Sequence, residues 1–106
     1  QQAQNYMASS SPFLNPNFSR QDLVRALGTN EKYLSTSIKD KLNITLKEYI
    51  DRYRVNHART ELLMPGDRRS MEEIAVGAGF TSSRTFSRIF QKILGVTPAQ
   101  YRRQAQ

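Results

Sequence analysis

Arg84, Arg88 and Lys92 stand four residues apart in SSRTFSRIFQKIL, the spacing that stacks side chains along one face of an α-helix. Phe86 and Phe90 mark the opposite, inward face, so positions 84, 87, 88 and 91 point outward. Like charges at that spacing cost a helix about 0.2–0.5 kcal/mol each, so such a row makes sense where a polyanion meets it. From Ile74 to Gln106 there is no Asp or Glu, while Arg84, Arg88, Lys92, Arg102 and Arg103 supply five positive charges. The net charge of +7 and a pI of about 10.1 point the same way. A merely solvated charged face would spread its charge more evenly.

Other chemistry is excluded by what is missing. With no Cys in the chain there is no disulfide framework, thiolate metal site or cysteine nucleophile. His57 is the single histidine, which rules out multi-histidine metal sites and paired-imidazole catalysis, so neither a metal nor a cofactor is expected. No catalytic constellation is present, so an enzyme is not expected. No apolar run approaches the roughly 18 residues of a membrane span, and no signal peptide is visible. The chain begins at Gln1, so a fragment of a longer protein is expected.

The outward row needs a frame, and the frame centres on Thr45–Met64, TLKEYIDRYRVNHARTELLM. Thr45 and Glu48 form a capping box at its start, and Pro65–Gly66 end it. Two apolar stripes run along it, Leu46, Tyr49, Ile50 and Tyr53 first, then Val55, Ala58 and Leu62. Two stripes mean two packing partners. Twenty helical residues span roughly 30 Å, close to the roughly 34 Å of one DNA turn. Before this spacer, Ser19 caps a short helix bearing Leu23, Ala26 and Leu27, which Gly28 stops. Thr29–Asn30 opens a second helix with Leu34, Ile38 and Leu42 on its buried side and Lys32, Ser35, Thr36 and Lys39 facing out. After the loop Pro65–Arg69, Ser70 and Glu73 form another capping box, Ile74–Ala75 begin a short helix, and Gly79 ends it. Thr81–Ser82 caps the helix of the basic row. Thr97, Pro98 and Gln100 then open a last helix. Residues 1–17 are polar and weakly periodic and are expected to be an incoming linker, with Tyr6 and Met7 closing a short helix and Phe13–Leu14 tucked onto the core.

The two flanks are an internal repeat. Leu23 to Gly28 matches Ile74 to Gly79, Leu34–Ser35 matches Phe86–Ser87, and Leu42, Ile44, Thr45 and Tyr49 match Leu94, Val96, Thr97 and Tyr101. A repeat of about 50 residues that keeps caps, stops and core positions together is not expected by chance. Each unit is two short helices joined by a Gly-containing turn, a helix-turn-helix. One could be a packing accident; two on a spacer of about one DNA turn point to adjacent major grooves.

Residues 72–103, EEIAVGAGFTSSRTFSRIFQKILGVTPAQYRR, resemble the C-terminal signature of the AraC/XylS family of transcription regulators. Its marks are Ile74–Ala75, Gly79–Phe80, Phe86 to Phe90, Gly95, Thr97–Pro98 and Tyr101–Arg102. Tyr49–Ile50 through Arg54, Ala58 and Leu62–Leu63 fit the family's linker helix. The resemblance implies an all-α fold of about seven helices. A linker or tail over 1–17 precedes a DNA-binding domain over 18–103, divided into a first helix-turn-helix (18–44), the linker helix (45–64) and a second helix-turn-helix (70–103). It assigns Arg84 and Arg88 to base edges, with Ser83 and Ser87 beside them, and places Lys32, Ser35 and Thr36 at the base-facing positions of the first motif. The sequence departs from the family where Asn43–Ile44–Thr45–Leu46 replaces the usual Gly and Pro, and where Ser35–Thr36 stands in place of longer polar side chains. Short hydroxyls favour phosphate contact and shape over base reading.

Lys92, farther from its helix start, is expected at phosphate, as is Lys39. Amides at Asn30 and at Thr81–Ser82 are expected where a phosphate could sit. The FLNPNFSRQDLV-like lead-in and TNEKYLS resemble regulators joined to sensor domains, often membrane-bound. The expected function is sequence-specific duplex-DNA binding in the bacterial cytoplasm for control of transcription. RNA polymerase and an upstream sensor or dimerisation domain are the further partners. The rivals are a helical module for an acidic protein and an RNA-binding or non-specific role, the latter lacking stacking aromatics on the exposed basic ridge.

Overall fold

The computed structural model describes Gln2–Met64, Gly66 and residues 68–104. Seven α-helices are described, with no strand among the described residues: α1 (Gln2–Ser10), α2 (Arg20–Ala26), α3 (Glu31–Leu42), α4 (Leu46–Leu62), α5 (Met71–Gly77), α6 (Ser83–Leu94) and α7 (Pro98–Gln104), with a 3-10 turn at Pro12–Leu14. Helix α4 is the axis of an elongated molecule, 42 × 23 × 22 Å. It packs against α2, α3 and the 3-10 turn on one side of its length, and against α5, α6 and α7 on the other.

The two stripes on α4 bury in two different cores. Leu46, Tyr49 and Ile50 join Met7, Phe13, Leu23, Leu34, Ile38 and Ile44. Val55, Ala58 and Leu62 join Ile74, Ala75, Phe80, Phe86, Ile89 and Phe90. Tyr53 is only partly buried against the first core, and its hydroxyl lies 3.3 Å from that of Tyr49.

The repeat survives in the hydrogen bonds. Capping boxes close the starts of α2 (Ser19 with Asp22), α4 (Thr45 with Glu48) and α5 (Ser70 with Glu73). At α7, the Thr97 amide donates to the Gln100 side chain, and the Gln100 amide donates to the Thr97 hydroxyl. Asn30 accepts from the Tyr33 amide to start α3, and Ser82 accepts from the Thr85 amide to start α6. Helices α3 and α6 both end on a left-handed residue, Asn43 at φ 60 and Gly95 at φ 80. Asn is one of the few side chains that tolerate that conformation, so replacing the usual Gly leaves the corner intact.

Three expectations change. Residues 2–10, expected within a linker with a short helix closing at Tyr6 and Met7, form α1 through to Ser10, and Ala3 and Met7 are buried in the first core. A stripe of one Ala, one Met and a half-buried Tyr6 among polar residues is too sparse for periodicity to show the helix's full length or its packing. Leu42, expected on the buried face of α3, is 46% exposed. At 3.6 residues per turn, a residue eight positions beyond Leu34 has rotated about 80° off the stripe. The spacer is also shorter than expected: Thr45 is its cap, Leu63 closes it, and the 17 helical residues span about 26 Å. Pro65, expected to help end the spacer and begin the following loop, lies outside the described residues, as does Gln1.

Between the two cores sits Arg54. Its Nε donates to the Phe13 carbonyl at 2.8 Å, and its Nη2 donates to the carbonyls of Asn15 and Phe18, each at 3.2 Å. Burial lowers its pKa while the Asp51 carboxylate, 3.7 Å away, opposes that shift. Asp51 is itself buried and accepts from Lys47 at 2.7 Å, so this buried carboxylate has two cations beside it.

Candidate nucleic-acid interface

On α6, Phe86, Ile89 and Phe90 are buried, leaving Arg84, Arg88 and Lys92 exposed and Ser83 and Ser87 half-buried beside them. The ring pairs Phe80–Phe86, Phe86–Phe90 and Phe90–Tyr101 lie 5.2, 5.5 and 5.6 Å apart, so an aromatic cluster fixes the rotation of α6 and hence the direction of its basic row. Arg84 and Arg88 have no acidic partner among the described residues. Lys92 lies 3.9 Å from Glu48 of α4. The acid-free run in the sequence therefore meets acids brought from other elements.

On α3, Leu34 and Ile38 are buried. Lys32, Thr36 and Lys39 are exposed and Ser35 is half-buried. Tyr33, which the sequence did not single out, is 67% exposed on the first turn of this helix. Its signal was position alone, one residue past Lys32 and just inside the Asn30 cap.

The two outward rows meet the same end of the spacer. Ser35, Thr36 and Lys39 line a groove with Thr45 and Leu46. Arg88 and Lys92 line another with Thr45, Lys47 and Glu48. Thr45 thus borders both, and the capped start of α4 lies between the two rows.

The helix starts are less open than expected. The Ser83 amide, first in α6, donates to the Glu72 carboxylate of α5 at 3.1 Å, and the Thr85 amide goes to Ser82. The bonds to Ser83 hold the Glu72 pKa below its ordinary value. Thr81 is exposed and Ser82, not Thr81, is the cap. Asn30 spends its side chain capping Tyr33. His57 is half-buried, 3.9 Å from Glu61 and edge-on to Phe13. Among the described residues no cluster could hold a metal ion, and no helix is long and apolar enough to cross a membrane.

A model of a helix-turn-helix domain matches residues 23–104. The C-terminal domain of AraT, a response regulator from Geobacillus stearothermophilus, superposes with a TM-score of 0.80 at 30% identity, covering 97% of this chain and 82% of that one. The chain belongs to the AraC/XylS family. It has that family's all-helical DNA-binding domain. The melibiose operon regulatory protein of Escherichia coli K12 is 32% identical over 98% of the chain, which spans 35% of that regulator's length. The DNA-binding domain of AdpA, solved in complex with a target DNA, shares the fold at a TM-score of 0.78 and 20% identity, covering 97% of this chain and 88% of that one.

Proposed function

We propose that this AraC/XylS-type domain reads a bipartite duplex site, with α3 and α6 entering successive major-groove segments on one face of the DNA. Arg84 and Arg88 read base edges, since an arginine fork matches the paired acceptors of guanine, and Ser83 and Ser87 lie beside them. Lys32, Ser35 and Thr36 face bases in the other half. Asn30, Lys39, Thr81, Ser82 and Lys92 meet phosphate, with Glu72 already holding one amide at the start of α6. The observation that carries this reading is that both outward rows flank one end of α4, which supports a single ligand for both readers. The protein of which this domain is part acts in the cytoplasm, with an upstream sensor or dimerisation region and RNA polymerase as its other partners.

Selection from random duplex DNA tests it, followed by affinities across a salt series. The expected result is a two-part motif and a steep fall of log affinity with log salt, as released counterions require. An enriched pool without sequence preference would favour non-specific binding. Absence of DNA binding at low salt would favour the rival module for an acidic protein.

A further inference from the structure

The spacer helix alone does not account for how the halves are held. Arg54 lies on α4 where the first apolar stripe gives way to the second. Its guanidinium grips three carbonyls of the turn that follows α1, those of Phe13, Asn15 and Phe18. The same turn presses on the second half. Gly79, in the turn of the second helix-turn-helix, has φ +95, and a Cβ there would overlap the Phe13 carbonyl oxygen and lie 2.9 Å from Arg54 Nε. Gly79 is flanked by Ala78 and Phe80 of the second core, while Phe13 belongs to the first and lies 5.6 Å from Tyr53, ring to ring. One backbone carbonyl therefore touches the spacer and the second motif at once. The glycine is required twice over, for a left-handed conformation and for a close approach.

We propose that the turn over residues 11–18, gripped by Arg54 and seated on Gly79, is a clasp that fixes the second helix-turn-helix relative to the first, with Arg54 and Gly79 as positioning residues for DNA reading. Helix α4 carries both motifs; the clasp stops the second from pivoting about it. The functional half of this inference rests on the bipartite reading above.

Because the chain has no Cys, spin labels at Ala26→Cys in α2 and Ala99→Cys in α7, both exposed sites, report the geometry of the halves without DNA. The parent is expected to give one narrow distance distribution. Arg54→Met, and separately Gly79→Ala, should widen it about twofold through rigid-body motion of packed units, with Arg54→Lys intermediate. Should Arg54→Met fold poorly because Asp51 loses a cation, the Asp51→Asn/Arg54→Met pair removes the orphaned charge. On DNA, the affinity gained from adding the second half-site should fall about tenfold in the widened variants, as lost preorganisation lowers effective concentration, while each single half-site binds as before. An unchanged narrow distribution in both Arg54→Met and Gly79→Ala overturns the clasp. A widened distribution with the second-site gain intact overturns its role in reading. If the parent itself gains nothing from a second half-site, the bipartite reading fails and the label distances alone decide the clasp.

Discussion

The first half of the domain closes over Leu23, Leu34 and Ile38 with Tyr49 of α4, and borrows Met7 and Phe13 from the segment before it. The second closes over Phe80, Phe86 and Phe90, with Tyr101 packed against them. Outward, the first presents Lys32, Tyr33, Thr36 and Lys39, and the second presents Arg84, Arg88 and Lys92. The caps and left-handed corners are nevertheless shared almost position for position. Backbone hydrogen bonding is what the repeat preserves, while core filling and outward chemistry diverge freely on top of it. A helix-turn-helix needs only its caps and corner to exist. What it recognises depends on a few outward side chains held at a fixed rotation.

The largest difference between the halves should appear in stability. Phe90→Ala removes the ring that links Phe86 to Tyr101 and should cost about 3–5 kcal/mol, a large share of the roughly 5–15 kcal/mol of a typical domain. Urea unfolding followed by circular dichroism measures it. Tyr53→Phe in the first half removes one hydroxyl from a half-buried pair and should cost under about 1.5 kcal/mol. Equal losses would mean that the aromatic cluster does not dominate its half.

Recognition should differ next. Arg84→Ala or Arg88→Ala should each weaken binding to the selected site by about 1–3 kcal/mol and relax one or two base pairs. Ser35→Ala and Thr36→Ala should cost under about 1 kcal/mol, because a single hydroxyl lacks a bidentate fork. Titrations on single-substitution duplexes check both. If the motif under α3 proved as sharp as that under α6, Tyr33 would be the side chain to test, since its exposure on the first turn has no packing explanation.

The smallest expected effect concerns Glu72. Its carboxylate occupies the first amide of α6 and places negative charge near the basic row, so Glu72→Gln should tighten DNA binding a few-fold, most visibly at low salt. A weaker complex would show that the bond to Ser83 orients α6 more than its charge repels. The same carboxylate, with Asp22 and Glu48, is held below its ordinary pKa by cap hydrogen bonds. A depressed carboxylate stabilises the fold above its unfolded value and loses that contribution as pH falls through the folded one. Thermal midpoints should therefore be level near neutrality and drop below the ordinary values of 3.8 for Asp and 4.5 for Glu.

These contrasts were unevenly legible in the sequence. Caps such as Thr45 with Glu48, or Ser70 with Glu73, join residues three apart, so a linear reading finds them and with them every helix from α2 to α7. The twin stripes of the spacer were legible for the same reason. Arg54 reaching the Phe13 carbonyl, 41 residues away, leaves no periodic trace, and neither does Glu72 bonding the Ser83 amide. A short helix closing at Tyr6 and Met7 was legible, but the length of α1 and its place in the first core were not, because polar composition outweighed its two buried residues. Lys92 looked unopposed because its acid, Glu48, lies on another helix.

In the proposed function, one monomer reads two groove segments at a fixed separation. Five base pairs inserted between the half-sites put the second half on the opposite face of the duplex, and a domain whose two outward rows both lie against the start of α4 cannot follow, since neither it nor the duplex twists by half a turn at low cost. With monomeric protein, affinity for the inserted site should fall to that of a single half-site, while insertion of ten base pairs should not restore it because the spacer cannot lengthen. Unchanged affinity for the five-pair insertion would show that the two motifs do not read DNA together.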